Sequence, residues 1–171
     1  MRRLVVAGAI AVLLGGCGGS DESSAESWAN DVCGRAVDWR DGVRDEVDAF
    51  RQNPDVSKLG TTIDDIVTST NDFVADLKKI EPPDVASGAQ AQTQVEQLAD
   101  SLDDRVQRVQ SAVAAGGAAA IQTAADEISG GIDELGQTVA NVEALSDELR
   151  RGIEDASSCK ELRGLDGGSG Y

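Results

Sequence analysis

LGTTIDDIVTSTNDFVADLKKI, Leu59 to Ile80, decides the fold. Leu59, Ile63, Ile66, Phe73, Leu77 and Ile80 are apolar, and Thr70 fills the one polar place in the series. The steps alternate between four and three, the seam of a helix packed along its length. A strand needs alternation at every second residue, and no useful length of this chain has it.

The same period continues on both sides. Upstream, Trp28, Trp39 and Phe50 recur at eleven-residue steps, as do Val32 with Val43 and Ala36 with Val47. Eleven residues make three helical turns, so these side chains form one nearly straight stripe. Large apolar residues at that spacing serve a core face rather than an aromatic ligand box. Downstream, one seam runs through Val95, Leu98, Leu102, Val106, Val109 and Val113, and another through Ile121, Ala125, Ile128, Ile132, Leu135, Val139 and Val142.

Breaks separate the segments. Asn53-Pro54-Asp55 offers a capping Asn and a Pro suited to a first turn. Glu81-Pro82-Pro83-Asp84 stops the second helix, with Asp84 available to cap the third. Gly116-Gly117 ends or kinks the third. Gly130, Gly131 and Gly136 weaken the fourth helix by roughly 1 kcal/mol each relative to Ala. They either let another helix come close or leave this one soft. Four such segments with short connections pack as antiparallel neighbours. The expected fold is all-α, an up-down antiparallel four-helix bundle with a short extra C-terminal helix.

The first residues read as an address. Arg2 and Arg3 precede an apolar run, Leu4 to Leu14, and then small residues. This is the layout of an export signal. Eleven residues at about 1.5 Å each reach roughly 17 Å, short of the ~30 Å needed to span a membrane. Leu14-Gly15-Gly16-Cys17 resembles a bacterial lipobox. That resemblance implies cleavage before Cys17 and a diacylglyceryl group on its sulfur. The expected organisation is a signal peptide over 1–16, a flexible tether over 17–25, a helical domain over 26–163 and a disordered tail over 164–171.

Cys33 and Cys159 remain, an even pair in an exported chain, and such pairs usually form a disulfide. Closing so long a loop stabilises by roughly 4–5 kcal/mol in the chain-entropy model. One straight helix from Ala118 to Leu162 would carry Cys159 past Cys33 by roughly 17 residues, about 25 Å. A disulfide needs alpha carbons within ~7 Å. The chain is therefore expected to break near Ser146, a polar residue at a seam position. Ser146 can cap a new helix, and Asp147 and Glu148 suit its first turn.

Composition excludes several classes of function. Without residues 1–16 the chain keeps 13 basic residues against 31 acidic, a formal −18 against −16 for the whole. Nucleic acid needs the opposite sign. Anionic headgroups are repelled too, so membrane attachment falls to the lipid on Cys17. The chain has no histidine, which removes the usual general base and His-based metal sites. Asp64-Asp65, Asp103-Asp104 and Asp126-Glu127 are neighbours on helices. Such side chains diverge by about 100°, so they read as solvated faces, with weak binding of a divalent cation as the alternative. Arg105 and Arg108 read as a surface ion-pairing spot. No metal, cofactor or catalytic residue is expected, and no enzyme.

Trp28-Ala29-Asn30-Asp31-Val32-Cys33-Gly34, with Trp39-Arg40-Asp41 and a closing Cys159-Lys160-Glu161-Leu162, resembles small exported proteins and lipoproteins common in actinobacteria. The resemblance implies a helical domain with linked terminal cysteines and no particular activity. The expectation is a binding or accessory module at the extracytoplasmic face of the cell membrane, with an envelope protein as partner. The alternative is a sensory or carrier bundle that takes a small apolar ligand between its helices. An apolar cavity would favour the second and a filled core the first.

Overall fold

The computed structural model describes residues 24–52, 58–116 and 118–164. The expected signal peptide, the lipobox (Leu14, Gly15, Gly16), Cys17 and most of the tether lie outside them, as do Asn53-Pro54-Asp55, Gly117 and the tail beyond Gly164. Among the described residues the fold is all-α. The helices are α1 (Ser24–Gln52), α2 (Leu59–Leu77), α3 (Gly88–Ala115), α4 (Ala118–Glu143), α5 (Asp147–Asp155) and α6 (Ser157–Gly164). None of them is long and apolar enough to cross a membrane.

The α2 seam is buried as its period requires. Ile63, Ile66, Thr70, Phe73 and Leu77 are inside, and Val67 and Val74 widen the stripe. Thr70 is satisfied twice. Its hydroxyl donates to the Ile66 carbonyl at 2.8 Å and accepts from Trp39 Nε1 at 3.1 Å. Trp39 stacks on Phe73 with ring centroids 5.0 Å apart, joining the α1 stripe to the α2 seam. The stripe stays buried from Trp28 to Val43 and opens beyond, where Val47 and Phe50 are half-buried. Arg35 of α1 pairs with Asp76 of α2, and Lys78, just past α2, with Asp100 and Asp103 of α3.

Three local expectations are corrected. Asp84 caps nothing in α3, which starts at Gly88 with Ser87 before it, and its backbone N–H donates instead to Ser24 Oγ at 2.7 Å. α1 begins at Ser24, two residues before the expected domain start, and Ala25 is fully buried. The α4 seam is also displaced at its start: Ile121 is 46% exposed and Ala125 lies outside, while Ala124, Gly131, Leu135, Thr138 and Val142 are buried. Small residues win because α4 lies very close to its neighbours. A β-carbon on Gly131 would stand 3.1 Å from Leu102 and 3.6 Å from Trp39. Ile128, Ile132 and Val139 flank this contact as half-buried residues.

α3 ends where expected. Gly116 has φ 73° and ψ −179°, a region open essentially to glycine alone, and its N–H donates to the Ala112 and Val113 carbonyls. The break after α4 is also where the polar seam position put it. Ser146 is extended, and its Oγ accepts from Leu149 N–H at 3.2 Å. A single following helix was expected, but the chain breaks again at Ala156 and gives two. Asn30 of α1 explains this second break. Its side-chain oxygen accepts from the Ser158 N–H and the Ser157 hydroxyl, both at 3.2 Å, and so caps the start of α6 from another helix.

Candidate functional site

α5 and α6 both lie on α1, and α5 also touches α4. Gly152 makes the first contact possible. A β-carbon there would fall 2.7 Å from the Ala25 carbonyl carbon and 2.9 Å from Glu26 N. Six residues past Gly152, Asn30 takes the first turn of α6. Next, Cys159 is bonded to Cys33, with alpha carbons 5.0 Å apart and a sequence separation of 126. Both cysteines are buried. Arg40 closes the series by donating from Nη1 to the Leu162 carbonyl at 3.1 Å. The carbonyls of a last helical turn are short of donors, and a cation there is favourable. Asn30, Cys33, Arg40, Cys159 and Leu162, distant in sequence, thus form one clasp.

Arg40 is the residue that the sequence reading passed over. It is 95% buried, the only charged side chain so enclosed among the described residues. Its Nε donates to Asp41 Oδ1 at 3.0 Å. Nη2 stands 3.0 Å from the same oxygen but without hydrogen-bond geometry, and it has no other acceptor. The signal was present: Arg40 follows Ala36 by four and precedes Val43 by three, which puts it on the buried face.

Arg40 borders a cleft of about 230 Å³ between α4 and α6. Ile132, Gly136 and Val139 line one side and Leu162 the other, with the Arg163–Glu143 ion pair beside them. A second opening, beside Trp39, Val106 and Ile128, is far smaller, about 30 Å³. That is room for about one water. A polar groove of about 480 Å³ runs past Trp28, Arg35 and Lys79, near the start of α1.

The carboxylate pairs do not converge. Asp64, Asp65, Asp104 and Asp126 are exposed. Glu127 turns to the two arginines instead: Arg108 donates to it from Nε at 2.7 Å and from Nη2 at 2.9 Å, and Arg105 from Nη1 at 2.9 Å. The Arg108 hydrogen bonds above all hold the Glu127 carboxyl below the usual range; burial opposes them, and the Arg108 charge, the Arg105 hydrogen bond and the Arg105 charge add to them. Arg105 also reaches Glu134, whose other donor is the Ser101 hydroxyl at 2.8 Å. Gly130 makes room for this guanidinium, since a β-carbon there would stand 2.4 Å from Arg105 Nη1. The glycines at 130 and 131 therefore serve close approach, whereas Gly136 faces open space. No group of three potential metal ligands occurs among the described residues. Comparison with protein-family models, with curated proteins and with solved structures finds no match to this chain.

Proposed function

We propose that this chain is a lipid-anchored module at the extracytoplasmic face of the cell membrane, which acts by binding an envelope protein and not by catalysis. Its helices α1 to α4 form an up-down antiparallel four-helix bundle, closed by α5 and α6 in place of the single extra helix. The contacts Arg35–Asp76 and Arg105–Glu127 support that order, since each joins an earlier part of one helix to a later part of its neighbour or the reverse. The lipobox resemblance supports the anchor. The observation that carries the binding reading is the small opening beside Trp39. At about 30 Å³ it holds no ligand, whereas small-molecule sites run to roughly 300–1,000 Å³. That leaves the surface as the working part.

Intact mass and detergent-phase partitioning test the anchor: a diacylglyceryl addition is expected on Cys17, and Cys17→Ala should lose it. Membrane-bound chain without that addition would overturn the anchor. Crosslinking in intact cells tests the partner, and one recurring envelope protein should be captured. Its capture should fall with Cys17→Ala. No capture above control would overturn the binding reading. A small-ligand carrier is the second reading, and the cleft beside Arg40 is the observation that favours it.

A further inference from the structure

We propose that Asn30 and Arg40 seat α6 on α1 ahead of the covalent bond, and so give Cys33 to Cys159 rather than to Cys17. This leaves the Cys17 thiol free, which the proposed lipid attachment needs, but it holds whether or not that lipid is added.

The chain has three cysteines, so three pairings compete. Cys17 lies 16 positions before Cys33, and Cys159 lies 126 after it. Loop closure becomes rarer as the three-halves power of loop length, so in an unstructured chain Cys33 meets Cys17 about 20 times as often as Cys159. The folded chain nevertheless holds the long loop. Something other than the sulfurs must bring the last helix back. Asn30, about one turn before Cys33, accepts from the Ser157 hydroxyl and the Ser158 N–H, which immediately precede Cys159. Arg40, about two turns after Cys33, donates to the carbonyl of Leu162, which follows Cys159. These contacts bracket the cysteines on both helices. Cys159 Sγ also lies 3.4 Å from the Ala29 carbonyl oxygen, so the reduced thiol has an acceptor in the seated position. None of these contacts needs the bond.

Forming the bond takes two electrons and two protons from the two thiols, and a small external disulfide accepts them. It enters while α6 is lifted, because both sulfurs are buried once the helix is seated. One cysteine thiolate attacks it, forms a mixed disulfide and expels the first small thiolate. The second cysteine thiolate then attacks the protein sulfur and expels the other. Selection falls at this second step, where Asn30 and Arg40 raise the effective concentration of Cys159 at Cys33 above that of Cys17.

The test oxidises the reduced, unlipidated full chain in a mixture of glutathione and glutathione disulfide, stops the exchange with acid at intervals and counts the bonds by non-reducing peptide mapping. In concentrated urea Cys17–Cys33 should exceed Cys33–Cys159 about 20-fold. In native buffer Cys33–Cys159 should predominate from the first time point. Asn30→Ala should raise the early Cys17–Cys33 share about fivefold or more, the worth of one lost hydrogen bond. Alanine suits a helix interior better than asparagine, so α1 itself is not weakened. Arg40→Met should act in the same direction, and Arg40→Lys should recover part of the loss; Asn30→Ala decides the matter if Arg40→Met does not fold. Glu127→Gln, which weakens the contacts with Arg105 and Arg108 away from α6, should leave the share unchanged and so separates seating from general stability. An unchanged share in Asn30→Ala, a matching rise in Glu127→Gln, early Cys17–Cys33 in native buffer that later rearranges, or predominant Cys33–Cys159 in urea would each overturn the inference.

Discussion

Two glycines, Gly152 and Gly136, should respond oppositely to the same substitution. Each sits inside a helix, so Gly→Ala gains roughly 1 kcal/mol of helix propensity at either site. The surroundings then decide the sign. At Gly136 the new methyl meets nothing within 4 Å, and the gain stands. At Gly152 it would lie 2.7 Å from both the carbonyl carbon and the β-carbon of Ala25, and 2.9 Å from Glu26 N. Two of those three atoms are backbone, so no rotamer change relieves the overlap. Overpacking of this kind costs about 1–3 kcal/mol, and backbone contacts put it at the upper end. Gly152→Ala should therefore lose about 1–2 kcal/mol and Gly136→Ala gain about 1, a gap of about 2–3. The assay is urea unfolding of the oxidised chains. With a slope of about 2 kcal/mol/M the two midpoints should differ by about 1–1.5 M. A midpoint for Gly152→Ala equal to or above that of Gly136→Ala would show that α5 does not lie this close to α1.

Ser146→Ala should cost about 1 kcal/mol in the same assay, because it removes the acceptor for Leu149 N–H. Replacing Cys33 and Cys159 together by alanine should lower stability by about 2–5 kcal/mol, read as a fall in melting temperature that reducing agent reproduces in the parent. Acid should also weaken the fold. Glu127, Asp76 and Asp147 all titrate below their ordinary range, held there first by hydrogen bonds from Arg108, Lys79 and Arg150 respectively. A depressed folded-state value contributes stability that is complete above the unfolded value near 4 and lost as pH falls through the folded one. Unfolding followed from pH 6 to pH 2 should show that loss, and Glu127→Gln should flatten it; an unchanged pH profile in the variant would disprove the role of this group.

Much of this architecture was legible because it rests on period and punctuation. The α2 seam, the glycine stop at Gly116 and the cap at Ser146 each depend on residues close in sequence, and each is where the pattern put it. The cysteine pairing was legible too, because it follows from the expected export and from an even count. What stayed hidden depends on a partner from elsewhere in the chain. The break at Ala156 needs Asn30, 127 residues before Ser157. The early turns of α4 turn Ala124 inward and leave Ile121 outside, which the spacing of apolar residues alone does not show. Arg40 was hidden for a plainer reason. A charged residue on a buried face looks like noise in an apolar pattern until its acceptor, the Leu162 carbonyl, is seen.

The bond between Cys33 and Cys159 also decides how the domain carries tension. A pull applied at Ser24 and resisted at Gly164 runs along α1 only as far as Cys33, crosses the sulfurs and leaves through the last turn of α6. The residues between the two cysteines hang beside that path and bear none of the load. Extending the chain between its ends would therefore peel away only the few residues outside the bond and then meet a covalent stop, with the stacked Trp39 and Phe73 undisturbed. Heat, denaturant and a force applied within the loop have no such shortcut, so the domain is mechanically stiff along one axis only.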